Sequence, residues 1–99
     1  MISIVIPAYN EESYILNTIK YIKNQSFKDY EIIVVCDGCT DSTSKIVKNH
    51  VDKLIVNKTR TGPADAKNTG AKHAKGDKLV FLDADTLLTE GVLKNIHLA

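Results

Sequence analysis

Asp83-Ala84-Asp85 is the element of this 99-residue sequence best suited to chemistry. Two carboxylates two positions apart, directly after the apolar run Leu79-Val80-Phe81-Leu82, can both face one divalent cation from an extended or turning backbone. Hard oxygen donors select Mg²⁺ or Mn²⁺, and Mg²⁺ is typically held by one or two carboxylates together with substrate phosphates. Asp37 stands in a similar place, after Glu31-Ile32-Ile33-Val34-Val35-Cys36 and before Gly38. Two more loops follow apolar runs: Pro7-Ala8-Tyr9-Asn10-Glu11-Glu12 and Thr59-Arg60-Thr61-Gly62-Pro63. Glu12 and Asp41 read more simply as caps of the helices that follow them. No G-x-x-x-x-G-K-[ST] or G-x-G-x-x-G loop follows any of these runs, so a phosphorylated ligand would depend on a metal to neutralise its charge. Arg60 and Lys67 are the nearest basic side chains.

Other chemistries fit less well. Cys36-x-x-Cys39 lies between a strand and a helix, the setting of a thioredoxin-like redox pair, but Cys36 completes an apolar strand and reads as a small buried residue. Asp83-Ala84-Asp85-Thr86-Leu87 resembles the nucleophile motif of haloacid-dehalogenase-type phosphatases, yet Leu87 stands where Thr or Val is expected, and the motif follows the fourth strand instead of the first. A receiver-like or nucleotide-sensing module built on Asp37 would want an acidic pair after the first strand, where Pro7-Ala8-Tyr9 stands. His50, His73 and His97 have no mutual metal-ligand spacing.

Elements must hold these loops together. The apolar runs Ile2–Ile6, Glu31–Cys36, Leu54–Val56 and Lys78–Leu82 predict strands, the second nearly continuous in the manner of a strand covered on both faces. Between them, Ile15, Ile19 and Ile22, widened by Leu16, predict a helix from Glu11 to Asn24, with Asn10 as N-cap and Glu11 and Glu12 in its first turn. A second helix is expected from Asp41 to about His50 around Ile46 and Val47. A third is expected from Pro63 to Lys75, with Ala64, Ala66, Ala71 and Ala74 on its buried face and Gly70 approaching a sheet closely. A last helix starts after Thr89. Tyr14, Tyr21, Phe27 and Tyr30 read as packing residues. The alternation β-α-β-α-β-α-β-α predicts a three-layer α/β/α fold on a mostly parallel sheet. Ligands on such sheets bind beyond the carboxyl ends of the strands, where strand order reverses, and those ends carry the residues named above.

Composition removes several alternatives. With 43% hydrophobic and 25% charged residues the chain is of ordinary globular make-up, which excludes a disordered tail, a collagen-like chain or a coiled coil. A net charge of +1 with no basic block speaks against a grip on nucleic acid. No apolar run approaches the ~20 residues of a membrane span, and the start does not read as a signal peptide.

Together the segments resemble the amino-terminal half of a family 2 glycosyltransferase of GT-A fold, and are similar to the branch with dolichyl-phosphate mannosyltransferases. The resemblance rests on Ile4–Glu12, on Glu31–Thr43, on Gly62-Pro63-Ala64-Asp65-Ala66-Lys67-Asn68-Thr69-Gly70 and on Phe81–Thr86. In the third segment Lys67 stands where Arg is common, which weakens a bidentate role there. The resemblance implies a metal-dependent, inverting transfer of a sugar from a nucleoside-diphosphate donor. It implies that Pro7, Ala8, Tyr9 and Glu11 wall the base and ribose, that Asp37 accepts hydrogen bonds from them, and that Lys67 and Ala84 join the donor site. Asp83 and Asp85 would hold Mg²⁺ or Mn²⁺ against the diphosphate. The acceptor is left open among a polyprenyl phosphate, a polysaccharide and a protein glycan. The setting implied is cytoplasmic, with the cytoplasmic face of a membrane as the alternative for a full-length protein. An inverting transfer also needs a general base. Glu90, the one later acid, reads as a helix-start residue, so residues 1–99 are expected to form a single donor-binding domain, truncated at its carboxyl end and inactive by itself.

Overall fold

The computed structural model describes all residues, Met1–Ala99. Four strands, β1 (Ile2–Ala8), β2 (Tyr30–Asp37), β3 (Lys53–Asn57) and β4 (Lys78–Phe81), alternate with four helices, α1 (Ile15–Lys23), α2 (Thr43–Val47), α3 (Pro63–Lys72) and α4 (Val92–Leu98). All strand pairs are parallel, in the order β3-β2-β1-β4. The expected α/β class is therefore the observed one.

Side-chain alternation along the strands makes the three layers. Ile2, Ile4, Ile6 and Ala8 of β1, with Ile32, Val34 and Cys36 of β2, face Ile15, Ile19 and Ile22 of α1, Val47 of α2 and Leu93 of α4. Val5, Ile33 and Val35 face the other way, onto Ala66 of α3. A nine-residue helix is marginal alone. The three isoleucines of α1, each at most 1% exposed, supply about 1.5–3 kcal/mol apiece on burial. On the opposite face α3 lies close because residue 70 is glycine: a Cβ there would sit 2.3 Å from Val5 Cγ1.

β1 runs through Pro7 to Ala8, past the expected end at Ile6. Proline in an inner strand ordinarily breaks a ladder. Here the Val5 carbonyl accepts from the Leu82 amide at 3.0 Å, and residue 7 points to the same side of the strand as residue 5. The amide proton that Pro7 lacks would thus face the β4 side, beyond the last β4 residue, Phe81. The β1–β2 ladder is left intact, with Pro7 opposite Val35.

The helices start and stop differently from their sequence patterns. α1 begins at Ile15, not Glu11, and has no acid in its first turn. Asn10 is not its cap: at φ 53° it adopts the left-handed conformation that Asn tolerates, and its Oδ1 accepts from the amides of Thr40 (2.8 Å) and Asp41 (3.2 Å). The Glu11 amide donates to Thr43 Oγ1 at 2.9 Å, the Glu12 amide to Asp41 Oδ2 at 3.2 Å, and Glu12 Oε2 accepts from the Ser42 amide at 2.9 Å. Tertiary lacing of the β1–α1 loop to the β2–α2 loop has outcompeted local helix formation. α2 is five residues long instead of ten, because Lys48, Asn49 and His50 are all exposed and offer no apolar residue to bury. α3 ends at Lys72, and Ala64 is exposed, not buried. Tyr14 and Tyr21 are also exposed, whereas Phe27 stacks on His97 with ring centroids 4.8 Å apart. Glu90 precedes α4 and accepts from the Ser26 amide and hydroxyl, at 3.0 and 2.7 Å, so it ties the start of α4 to the loop after α1. No helix is long and apolar enough to cross a membrane.

Candidate functional site

From β1 the chain steps outward through β2 to β3, then crosses back to place β4 on the other side of β1. The reversal lies between the carboxyl ends of β1 and β4, and there a parallel sheet opens a crevice. A cleft of about 340 Å³ occupies it, lined by Pro7, Ala8, Tyr9, Glu11, Asp37, Arg60, Pro63, Ala66, Lys67, Asp83, Ala84 and Asp85. Every donor- or metal-site residue expected from the sequence thus borders one cavity. Arg60 enters from the loop already marked as basic, while Pro63 and Ala66, from the first turn of α3, were missed because nothing but their place in the fold marks them. Two other hollows, of about 470 and 540 Å³, lie at the amino ends of the strands, away from these residues.

Asp37, the last residue of β2, is 3% exposed and fully engaged in binding a loop. Its Oδ1 accepts from Asn57 Nδ2 (3.0 Å), the Thr61 amide (2.9 Å) and Thr61 Oγ1 (2.8 Å), and its Oδ2 from the Gly62 amide (2.9 Å). Burial by itself would push this carboxyl up. The hydrogen bonds to its charged form outweigh that and bring it from 3.8 down to about 2. Asp37 therefore fixes the 57–62 loop over the end of the sheet, and only Oδ2 retains accepting capacity toward the cleft. Its partners lie 20–25 positions away and carried no local signal.

Gly38 completes the same device. Its φ is +72°, and a Cβ would lie 2.6 Å from the Arg60 nitrogen and 2.8 Å from its Cα. Strain and a backbone clash combine, so Gly38→Ala is expected to destabilise by about 2–4 kcal/mol, seen as a lower urea midpoint at unchanged slope. With the loop so held, the Arg60 guanidinium carbon sits 3.9 Å from the centre of the Tyr9 ring. This cation–π stack roofs one side of the cleft. Lys67 projects past Phe81, its Nζ 5.9 Å from that ring's centre.

Across the cleft, the Asp83–Asp85 segment leaves β4 as a turn in which the Thr86 amide donates to the Asp83 carbonyl at 3.1 Å. Asp83 and Asp85 are exposed and Ala84 between them is buried. The ion pairs of the chain involve only the Met1 amino group with Asp29 and Asp77, so no basic side chain neutralises either carboxylate. Their field is felt nearby. Glu11 is pushed up, first by burial and then by the charges of Asp85, Asp41 and Asp83. Two exposed carboxylates with no directly paired basic group, offered by hard oxygen donors, fit a divalent cation. No three or more His, Cys, Asp or Glu side chains converge on one point.

The redox-pair reading of Cys36 and Cys39 finds no support in this geometry. Burial, then neighbouring Cys39, pushes the Cys36 thiol up to about 12, the opposite of an activated redox thiol. Cys39 Sγ rests against the Ala8 carbonyl at 3.4 Å.

A parallel α/β unit with a cleft at its switch point and an exposed carboxylate pair beside it defines a Rossmann-like α/β class. Within it, the profile of glycosyl transferase family 2 matches residues 3–97, and the chain belongs to that family. An uncharacterized glycosyltransferase of Haemophilus influenzae is 38% identical over 95% of this chain, which spans 40% of that protein. Staphylococcus aureus TarS residues 1–349, solved with UDP, superposes with a TM-score of 0.89 at 29% identity, over 98% of this chain and 31% of its own. The mannosyltransferase PcManGT of Pyrobaculum calidifontis, solved with GDP-mannose and Mn²⁺, superposes with a TM-score of 0.81 at 30% identity, over 87% of this chain and 28% of its own. The chain thus spans well under half the length of the proteins it matches.

Proposed function

We propose that this chain carries the donor- and metal-binding part of an inverting glycosyltransferase that moves a sugar from a nucleoside-diphosphate donor to an acceptor. The observation that carries the reading is the meeting of three segments, Pro7–Glu11, Arg60–Lys67 and Asp83–Asp85, around one cleft whose charged carboxylates lack counterions. Pro7, Ala8 and Tyr9 offer an apolar and aromatic wall for a base and ribose. Glu11 can accept from ribose hydroxyls, and Asp37 has Oδ2 left for the base. Lys67 and Arg60 lie where they can meet phosphate oxygens, and Ala84 keeps the floor between the two acids shallow. Asp83 and Asp85 would hold Mg²⁺ or Mn²⁺. When bound, that ion supplies charge stabilisation to the departing nucleoside diphosphate. The solved complexes of TarS with UDP and of PcManGT with GDP-mannose and Mn²⁺ support this reading.

No residue here is assigned as general base. Glu90, the one acid after Asp85, is committed to Ser26, so proton removal from the acceptor is placed on residues outside this segment. The 99-residue chain is then a binder with little or no turnover. Calorimetry with UDP, GDP and dTDP, each with and without Mn²⁺, tests the proposal. One nucleotide is expected to bind at least tenfold more tightly with Mn²⁺ present. Affinities that ignore the metal for all three would defeat it.

A further inference from the structure

We propose that Thr18, a residue of α1 outside the cleft, is the positioning residue that sets the Asp83–Asp85 turn; this rests on reading that turn as the cation site. Thr18 is 0% exposed and shares the buried face of α1 with Ile15, Ile19 and Ile22. A hydroxyl at that depth is costly unless it is hydrogen-bonded, and an aliphatic side chain would serve the packing equally well. Its partner is specific. Thr18 Oγ1 donates to the Ala84 carbonyl at 2.7 Å, across 66 positions of sequence. The Tyr14 carbonyl, the ordinary acceptor one helical turn back, lies farther away at 3.4 Å. The hydroxyl has one proton, and the shorter contact takes it.

The acceptor is the peptide carbonyl between the two acids. Ala84 is itself 5% exposed, so without Thr18 its carbonyl would be buried with no donor. The turn has two other ties, Leu82 amide to Val5 carbonyl at 3.0 Å and Thr86 amide to Asp83 carbonyl at 3.1 Å. Neither holds the Ala84–Asp85 peptide plane. Thr18 does, and with that plane turned into the core the flanking carboxylates are left on the exposed side. Losing the bond frees the plane to rotate, which moves Asp85 relative to Asp83 without touching either acid. The relation is that of outer-shell partners at metal sites, whose removal costs about 10- to 100-fold in metal affinity.

The test compares the wild-type chain with Thr18→Val, a near-isostere lacking the hydroxyl, and Thr18→Ser, which keeps it. Two readouts are taken: amide hydrogen exchange at Thr86, whose amide donates to the Asp83 carbonyl, in metal-free protein, and Mn²⁺ affinity from the electron paramagnetic resonance of free Mn²⁺ with UDP, GDP and dTDP each present in turn. Thr18→Val is expected to speed exchange at the Thr86 amide and to weaken Mn²⁺ binding about tenfold. UDP affinity without metal should stay within about twofold, and Thr18→Ser should restore both readouts. Wild-type-like Mn²⁺ binding by Thr18→Val would overturn the proposal, as would Thr18→Ser as impaired as Thr18→Val. Metal-free UDP affinity falling in parallel would make Thr18 a residue of general stability and overturn it too. If wild type takes up no Mn²⁺ with any of the three nucleotides while Thr18→Val still speeds exchange, the cation reading has failed and the proposal falls with it, although the hydrogen bond stands.

Discussion

Replacing Asp37 with alanine is expected to destabilise the chain by about 3–5 kcal/mol, a large share of the 5–15 kcal/mol of a typical domain. The carboxylate accepts four hydrogen bonds at 3.0 Å or less from Asn57, Thr61 and Gly62. Bonds to a charged acceptor contribute about 1.5–3 kcal/mol each, and buried donors left without one add a penalty. Asn57 and the Thr61 hydroxyl can turn to water, but the Thr61 and Gly62 amides cannot leave the loop. Asp37→Asn is little better, because its NH₂ must face either the Gly62 amide or the three groups of Asn57 and Thr61 that now donate to Oδ1. The effect carries a pH signature. The folded-state carboxyl titrates at about 2 against 3.8 for an unconstrained one. Its contribution is therefore complete above about pH 4 and is lost as the pH falls through 2, amounting to about 2 kcal/mol. Urea titrations from pH 7 to pH 2 should show this decline in wild type and a flatter course in Asp37→Asn. Equal slopes in the two proteins would refute the assignment.

The double substitution Asp83→Asn, Asp85→Asn is expected to do the reverse: leave stability alone and remove function. Both side chains are exposed and no basic group pairs with them, so no fold-stabilising ion pair is lost. Removing two negative charges also relieves Glu11, whose carboxyl their charges help push up. The melting temperature should hold or rise slightly. Mn²⁺-dependent nucleotide binding should weaken at least 100-fold, since the proposed cation loses both protein carboxylates and keeps only neutral amide oxygens. Calorimetry alongside a thermal melt separates the two effects. Undiminished metal-dependent binding would place the cation elsewhere. Acids at the ends of β2 and β4, the two strands that flank β1, thus divide by environment. Asp37, buried among donors, serves the fold first and keeps only Oδ2 in reserve, whereas Asp83 and Asp85, bare beside a cleft, have both carboxylates uncommitted.

The sheet was legible because each strand is a short β-branched run between helical periods, and the alternation leaves few ways to stack them. The cleft was legible for the same reason: in a parallel sheet the residues after the strands share one edge. The start of α3 at Pro63 was marked by its proline, but the starts of α1 and α2 were not. Asn10 and Glu12 look like a cap and a first turn, yet their partners are Thr40, Asp41 and Ser42, and a contact across ~30 positions leaves no trace in a local pattern. Asp37 was marked by its place at a strand end, but its hold on the Asn57–Gly62 loop was not. Thr18 was invisible, since a threonine among isoleucines differs from a packing residue only through the carbonyl it meets.

The strand order has a consequence for how the chain reaches this state. β1 meets β2 across about 28 positions of sequence and β4 across about 76, the separations of the Ser3–Glu31 and Met1–Asp77 contacts. By chain entropy the longer closure costs only about 1 kcal/mol more. It is nevertheless the most non-local pairing in the sheet, and such pairings form slowly. The two lips of the cleft, Pro7–Tyr9 and Asp83–Asp85, face each other only after that closure. A chain caught with β1, β2 and β3 assembled and β4 undocked has most of its core and no binding site. Any molecule that needs both lips recognises the finished fold alone and, by mass action, pulls late intermediates toward it.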